Sequence, residues 1–248
     1  MAKQTTQRRR IRVGCAGWSI PREHAALFGA GDSLLSRYAT RFDAVEINSS
    51  FYRPHQPKTY ARWAASVPGD FRFSVKLPQT LSHERALRGC GPLLDGFLEQ
   101  VQPLGRKLGG FLLQLPPSLA FDARVAATFF ALLRRRTDAR VACEARHASW
   151  FTAHAVALLA RHGITQVAAD PALMPEAGLP AGDRRWHYWR WHGARRIYYS
   201  AYGAAGLQSR APIVRAHPAR GETWIIFDNT AHGHAIADAA SMQRLLHQ

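Results

Sequence analysis

Several side chains with catalytic potential stand at or near the ends of short apolar runs in this sequence. Glu46 and Glu144 are carboxylates that can transfer protons, as a base where a neighbouring cation keeps them ionised and as an acid in an apolar setting. His192 can take either part because imidazole titrates near neutral pH. Lys76 and Arg146 add positive charge, and arginine is shaped to hold a carboxylate or phosphate. Together they predict acid–base chemistry on an anionic ligand.

These residues are far apart in the sequence, so a fold must bring the ends of distant strands together. Short apolar strands alternate with amphipathic helices along the chain, which indicates a parallel sheet. Eight strands are predicted, at residues 11–17, 44–48, 71–76, 110–115, 140–144, 164–170, 186–192 and 223–228. Eight strands in 248 residues predict an α/β fold, a single (β/α)8 TIM barrel, which usually has about 250 residues.

Helices are predicted between most of these strands, at residues 33–41, 58–65, 93–107, 153–162 and 235–246. Another begins after Asp122, which can cap a helix with an apolar face at helical spacing. The segment 171–183 contains three prolines and two glycines, which interrupt a long helix. The sixth helix of the barrel is therefore expected to be short or irregular.

The domain organisation is simple, with no linker and no internal repeat. Residues 1–10 are predicted to form a flexible basic arm, and residues 11–248 the barrel. No apolar run follows the basic start and no stretch of about 20 apolar residues occurs, so neither a secretory signal nor a membrane span is expected. Cys15, Cys90 and Cys143 are widely separated and form no CxxC pair, which suits a reducing compartment. We expect a cytoplasmic protein.

Side-chain direction decides which strand residues share a site, because successive strand residues point to opposite faces. In the second strand Val45 and Ile47 share one face, while Glu46 and Asn48 share the other. We expect the apolar set to face the helices and the polar set to point into the barrel. The same argument directs inward, near the strand ends, Lys76, Gln114, Glu144, Arg146, Asp170, Arg190 and His192. Enzymes of this fold place catalysis at that end.

Seven motifs resemble, in order, those of the YecE-like family, domain-of-unknown-function family 72. They are GCAGW (14–18), VEINSSFYR (45–53), VKLPQTLSH (75–83), LLQLPPS (112–118), EARHASW (144–150), YWRWHG (188–193) and FDNTAHGHA (227–235). The resemblance spans residues 11–246 and implies a (β/α) barrel, but the family has no assigned reaction. It implies recurrent polar residues at Glu46, Asn48, Tyr52, Lys76, His83, Gln114, Glu144, Arg146, His147, Trp150, Asp170, Arg190, His192 and Asn229.

The candidate site combines these two lines of inference, with Glu46, Glu144 and His192 as catalytic residues. Substrate contacts are assigned to Asn48, Tyr52, Lys76, His83, Gln114, Arg146, His147, Asp170, Arg190 and Asn229. His147 has an alternative role as a hydrogen-bonding residue of its own loop, and Trp150 as part of the core. Metal binding is left open, because Glu144, Asp170, His192 and Asp228 come from different strands, as metal ligands do in some barrels. The adjacent lysine and arginine charges argue against a cation site. No nucleotide-cofactor motif is present.

Three functions are compatible with this site. The first is an enzyme, a hydrolase, lyase or isomerase, acting on a phosphorylated or carboxylated small molecule. The second is nucleic-acid binding or processing, with the net charge of +16 attracting phosphates and Tyr52, Trp150 or Tyr198 stacking on bases. The third is a non-catalytic ligand sensor. The arginines are spread along the chain, which favours codon usage over a nucleic-acid surface as the origin of the charge. The oligomeric state is left open.

Overall fold

Short strands alternate with helices in the computed structural model, which describes residues 10–247. Ten strands occur within this range: β1 Arg10–Cys15, β2 Ala44–Ile47, β3 Arg72–Lys76, β4 Leu108–Gln114, β5 Val141–Glu144, β6 Ile164–Gln166, β7 Ala168–Asp170, β8 Ala181–Gly182, β9 Trp186–Trp191 and β10 Glu222–Phe227. Each of the eight predicted strands has an observed counterpart. The predicted sixth strand is wrong in one respect, because it is broken at Val167 into β6 and β7.

Seven α-helices connect the strands within the described residues: α1 Leu34–Tyr38, α2 Pro57–Ala65, α3 Gly91–Val101, α4 Ala123–Arg134, α5 Ala153–Arg161, α6 Gly203–Ala216 and α7 His234–His247. The side chain of Asp122 accepts hydrogen bonds from two backbone amides at the start of α4, which confirms the predicted cap. Helix α6 was not predicted, because Gly203, Gly206 and Pro212 lower its intrinsic helix propensity.

The segment between β7 and β9 is irregular, as predicted for the sixth helix. It contains a 3-10 turn at Pro175–Gly178 and the two-residue strand β8, which pairs antiparallel with β6. The predicted basic arm falls on residues 1–9, which lie outside the described residues, and on Arg10, the first residue of β1. Among the helices of residues 10–247, none combines the length and apolarity that crossing a bilayer requires.

The strands form two hydrogen-bonded sheets, in the orders β1-β10-β9-β7 and β2-β3-β4-β5-β6-β8. All neighbouring strands are parallel except β6 and β8. Residues from both sheets meet at two places. Ala16 donates its amide to Phe227 of β10 while Gly17 donates to Glu46 of β2, each over 2.9 Å. Val167, which links β6 to β7, donates its amide to Cys143 of β5 over 3.0 Å.

Buried apolar side chains form two separate clusters, one on each face of the strands. The larger one joins strand residues such as Val45, Ile47 and Cys143 to residues of the helices, as the alternation of residues predicts. The smaller one lies on the opposite face and contains Ala44, Leu112, Ala142, Val167, Trp186, Tyr188, Trp224 and Ile226. The strands are thus buried on both faces, as is usual for parallel sheets.

The close contact between β1 and β2 yields a stability prediction. A Cβ atom at Gly14 would overlap the carbonyl oxygen of Ala44, which as backbone cannot turn aside. Gly14→Ala should therefore lower the free energy of unfolding by about 2 kcal/mol, measured by urea denaturation. Gly96→Ala is the control, since Gly96 lies inside α3 with open space at its Cβ position and should gain about 0.5–1 kcal/mol. Equal midpoints for the two variants would contradict the tight contact.

Candidate functional site

Arg190 on β9 lies at the centre of a buried ionic cluster at the C-terminal ends of the strands. Its guanidinium contacts Glu46 of β2, Glu144 of β5 and Asp228, which follows β10, each at 2.9 Å. All four side chains are at least 95 % buried. A buried guanidinium needs such pairing, because an unpaired charge out of water is strongly destabilising. Arg190, predicted to contact substrate, is thus engaged on three sides by the protein itself.

Glu46 is fully enclosed and uses both carboxylate oxygens within the protein. Tyr188 donates its hydroxyl to Oε2 over 2.7 Å, and the Arg190 guanidinium contacts both oxygens at 2.9 to 3.2 Å. Burial raises the pKa of the Tyr188 hydroxyl, and the charge of Glu46 adds to that shift. Glu46, predicted to be catalytic, therefore holds Arg190 and Tyr188 in place in this structure.

His192 lies between two carboxylates. Its Nε2 is 2.9 Å from Oε1 of Glu144 and its Nδ1 is 3.0 Å from Oδ2 of Asp228. Burial alone would lower the pKa of His192, but the charge of Glu144 and the hydrogen bonds to both carboxylates raise it above its ordinary value. A protonated ring suits this geometry, because only imidazolium can donate from both nitrogens.

The Glu144 carboxylate remains ionised in spite of its burial. Desolvation opposes ionisation, but the charge of Arg190, the charge and hydrogen bond of His192 and the charge of Arg146 lower the pKa of Glu144 well below its usual range. Asp228 behaves alike: burial raises its pKa, and Arg190 and His192 more than offset that effect. The Glu144–His192–Asp228 chain thus pairs an ionised carboxylate with a protonated imidazole.

Arg146 is the cation of the site that stays partly open to solvent. Its side chain is 29 % exposed, whereas that of Arg190 is 1 % exposed. Nη2 of Arg146 is 3.3 Å from both Gln114 Oε1 and Glu144 Oε1, and 3.1 Å from the hydroxyl of Tyr198. Among residues 10–247 its other guanidinium nitrogens have no hydrogen-bond partner. They can therefore bind an anion.

A cavity of about 390 Å³, called here the mouth cavity, opens beside this chain. Glu144, Arg146, His192 and Tyr198 form its polar side, and the other lining residues are Pro117, Ala145, Ala169, Pro171, Ala172, Leu173, Ala177 and Ile197. Its size and its few convergent polar groups are typical of small-molecule sites. Tyr198 has a φ of 72°, a conformation that non-glycine residues adopt at a cost and that recurs at ligand sites.

Lys76, Phe51 and His83 lie together at the ends of β2 and β3. Nζ of Lys76 is 4.0 Å from the centre of the Phe51 ring, and the His83 ring centre is 5.0 Å from the same ring. His83 is exposed and contacts Ser82 Oγ through Nδ1 over 2.8 Å. Desolvation lowers the pKa of His83, and the charges of Lys76 and Arg146 lower it further, so these three residues share one electrostatic environment.

Two of the predicted site residues lie in separate polar clusters. Asp170 forms a two-point ion pair with Arg210 of α6, with contacts near 3.0 Å, and accepts a hydrogen bond from Tyr202. Asn229 donates to Asp238 of α7 over 2.8 Å. These contacts tie strand ends to the helices around them and are not part of the Arg190 cluster.

Four further residues are placed by the structure as follows. His147 bonds Ser149 of its own turn through Nδ1, the alternative considered for it. Trp150 is 2 % exposed and donates to Leu119, so it belongs to the core and cannot stack on a base. Tyr52 is 69 % exposed, and Asn48 has a buried Oδ1 without a hydrogen-bond partner in the described chain.

Within the described residues, no group of three His, Cys, Asp or Glu side chains is arranged to hold a metal ion. Three of the four ligands considered from the sequence, Glu144, His192 and Asp228, direct their polar atoms at one another and at Arg190. Asp170 is paired with Arg210 elsewhere.

Three participants are missing from the predicted catalytic and substrate-binding residues, although Asp228 was considered as a metal ligand and Tyr198 as a base-stacking residue. Tyr188 shares its strand face with Arg190 and His192, so alternation along β9 contained the signal for it. Asp228 lies just after β10, where alternation does not fix which face it takes. Tyr198 lies in a loop, and no local pattern indicates that its hydroxyl reaches Arg146.

The sequence matches the family model "Protein of unknown function DUF72" over residues 12–248. UPF0759 protein YecE of Escherichia coli (strain K12) is 38% identical over 106 residues, which cover 43% of this chain and 38% of YecE. UPF0759 protein YunF of Bacillus subtilis (strain 168) is 26% identical over 151 residues, or 57% of this chain and 52% of YunF. The matched regions thus span about two fifths to one half of these curated relatives.

Solved structures of the same family share the fold. A DUF72 family protein from Enterococcus faecalis V583 has a TM-score of 0.81 at 23% identity, covering 96% of both chains. Another from Thermotoga maritima MSB8 has a TM-score of 0.77 at 23% identity, covering 96% of this chain and 100% of that one. The family model covers nearly the whole chain, as the seven motifs predicted, and the chain belongs to the DUF72 family.

Proposed function

We propose that this protein is an enzyme that performs acid–base chemistry on a small anionic substrate in the mouth cavity. The observation that carries the proposal is the Glu144–His192–Asp228 chain, whose Glu144 and His192 line that cavity together with Arg146. Glu144 is the general base and His192 the general acid, while Arg146 binds the anionic group. Glu46, Arg190 and Asp228 position these groups.

The two reacting groups have complementary protonation states. The pKa of Glu144 is lowered and that of His192 is raised, so near neutral pH Glu144 carries no proton and His192 holds one that it can donate. Their polar atoms are 2.9 Å apart. When Glu144 takes a proton from the substrate, His192 can donate one, so the net charge of the pair stays the same. This arrangement suits an isomerase or lyase that removes a proton from carbon, and also a hydrolase that activates water.

The formal charges at the C-terminal ends of the strands favour an anionic ligand. The carboxylates of Glu46, Glu144 and Asp228 are balanced by Arg190, Arg146 and protonated His192. Lys76 then adds positive charge that has no carboxylate of its own within 4 Å among the described residues. A substrate with one carboxylate or phosphate group would neutralise that excess, and Arg146 offers the geometry to bind it.

We further propose that the two sheets close into one (β/α)8 barrel, with β6 and β7 sharing one strand position and β8 lying outside the ring. The amides of Ala16, Gly17 and Val167 support this, because they extend the hydrogen bonding from each sheet to the other. The Gly14→Ala comparison tests the first of these junctions. Closure would explain why the polar strand ends converge on one point.

Anion binding can be tested before any substrate is known. Inorganic phosphate should raise the melting temperature of the wild-type protein, because a ligand of the folded state stabilises it by mass action. Arg146→Gln should abolish most of that shift. Arg62→Gln is the matched control, since Arg62 is an exposed arginine of α2, and it should keep the shift. An equal loss in both variants would indicate non-specific screening of charge and contradict the assigned role of Arg146.

The base assignment is tested by exchange and turnover. Wild-type protein in D2O, with a panel of phosphorylated and carboxylated sugars, should exchange a substrate C–H or convert a member of the panel, both followed by proton NMR. Glu144→Gln should reduce that rate by about 100-fold or more, and Glu99→Gln, at an exposed glutamate of α3, should leave it unchanged. An unchanged rate in folded Glu144→Gln protein would refute the base. Binding without exchange or turnover would favour a ligand sensor.

The acid assignment gives a pH prediction. The imidazole of His192 should titrate above the ordinary midpoint of about 6.5, because two carboxylates hold its proton. Asp228→Asn removes one of them and should lower the midpoint, measured by NMR with His192→Gln used to assign the resonance. A wild-type midpoint at or below the ordinary value would show that His192 is neutral at pH 7 and unsuited to be the acid.

A further inference from the structure

We propose that Lys76 is a nucleophile of this site, whose amine forms an imine with an anionic aldehyde or ketone. The proposal deepens the proposed function and rests on it, because it uses the same end of the sheets and the same charge class of substrate. It assigns Lys76 a covalent role in place of a substrate contact and narrows the substrate to carbonyl compounds.

Lys76 takes no part in the ion pairs beside it among the described residues. The residue is 3 % exposed, and its Nζ lies over the Phe51 ring at 4.0 Å. Within residues 10–247 this nitrogen makes no hydrogen bond, and no carboxylate oxygen lies within 4 Å of it. Glu46 and Glu144 have their oxygens engaged by other donors. A structural counter-ion would contact one of these carboxylates, so the position of Lys76 indicates another role.

Electrostatics makes this amine reactive near neutral pH. Desolvation is the largest influence and Arg190 the next, and together they lower the pKa of Lys76 to about 8. The carboxylates of Glu46, Glu144 and Asp228 oppose that shift but do not cancel it. At pH 7 roughly one such amine in ten is unprotonated, against roughly one in 3000 for an ordinary lysine. Only the unprotonated amine attacks a carbonyl carbon, and desolvated lysines serve this way in enzymes.

The segment that follows β3 is strained, which supports a functional role for this end of the strand. It contains a π-helical turn at Thr80–Glu84, and Ala86 and Leu87 have φ of 47° and 67°. Such conformations are costly for non-glycine residues and tend to occur at functional sites. The turn carries His83 to the Phe51 ring that also contacts Lys76. Because the pKa of His83 is lowered, a neutral imidazole is available there for proton transfer.

The covalent step balances without an oxidant or reductant. The Nζ lone pair of Lys76 attacks the carbonyl carbon, and proton transfer from nitrogen to oxygen gives a carbinolamine. The carbon–oxygen bond then breaks, so the carbonyl oxygen leaves as water with both hydrogens of the original amine and a carbon–nitrogen double bond forms. Uptake of a proton from solvent gives the protonated imine, which withdraws electrons from the neighbouring carbon, whose proton Glu144 can then remove. Addition of water reverses the linkage and frees the amine.

The substrate class follows from the charges at the same end of the sheets. The charges of Arg146 and Lys76 both lower the pKa of His83, so both side chains lie near it. We infer that one small molecule presents an anionic group to Arg146 and a carbonyl group to Lys76. A 2-oxo acid and a phosphorylated sugar aldehyde share this chemistry. The two are distinguished by separate arms of the experiment below.

Reductive trapping tests the proposal on the wild-type chain. Pyruvate in one arm, glyceraldehyde 3-phosphate in another and neutral acetone in a third are each incubated with the protein at pH 7.5. Sodium borohydride then reduces any imine to a stable amine, and the labelled lysines are mapped by peptide mass spectrometry. Lysine occurs only at positions 3, 58, 76 and 107, so the mapping is unambiguous. Lys58 on α2 is exposed and is the internal control for non-specific labelling.

We expect at least tenfold more label on Lys76 than on Lys58 with one or both anionic compounds, and little with acetone. Labelling of Lys76 should reach half its maximum near pH 8. Lys76→Arg, which keeps the cation and cannot form an imine, should lose the specific label and remain folded by circular dichroism. Label on Lys76 no greater than on Lys58 in both anionic arms would overturn the proposal.

Failure of this proposal can be told apart from failure of the acid–base assignment. If Lys76 is not labelled but Glu144→Gln still loses exchange or turnover, the imine is refuted and the proposed function stands. If Lys76 is labelled and Glu144→Gln exchanges normally, the imine stands and Glu144 is not the base.

Discussion

The buried guanidinium of Arg190 is the interaction on which the rest of the structure depends. It lies on β9 in one sheet and contacts Glu46 and Glu144 on two strands of the other sheet. Removing one partner of a buried ion pair typically destabilises a protein by about 3–5 kcal/mol, because the remaining charge is left uncompensated. These contacts therefore fix where the two sheets meet, and they set the positions of Glu144 and His192 with little freedom.

Three cations at one end of the sheets have different capacities because they have different partners. Arg190 is saturated by carboxylates, so its charge is structural and shifts the pKa values of its neighbours. Arg146 is bonded through one nitrogen and retains donors toward the cavity. Lys76 is buried beside an aromatic ring and makes no ion pair in the described chain. Reactivity is thus expected where a charge is desolvated without being paired.

Much of this arrangement could be predicted from the sequence, because residue alternation along a strand has a strict period of two. It placed Glu46 opposite Val45 and Ile47, and it directed Arg190 and His192 to one face, as observed. Local pattern also predicted the cap at Asp122 and the irregular segment between β7 and β9.

The remainder depends on contacts that no local pattern encodes. Asp170 pairs with Arg210 on α6 and is not part of the central cluster. Helix α6 contains glycines and a proline, so helix propensity does not predict it. The interruption at Val167 depends on pairing with β5 and β9, which only the assembled sheets determine. Which cations would be saturated and which left available was likewise undetermined, since it depends on distances between strands.

The smaller apolar cluster has a consequence for how a ligand reaches the strand ends. Trp186, Trp224 and Tyr188 pack against one another at the N-terminal side of the ionic cluster, with Trp186 and Trp224 ring centres 5.5 Å apart. This aromatic layer has a low dielectric constant, and it separates the buried charges from the N-terminal ends of the strands. We therefore expect the field of Lys76 and Arg146 to be strongest at the C-terminal ends of the strands, where the Arg146 side chain is 29 % exposed. We expect that field to steer an anion toward this end of the strands before any contact is made.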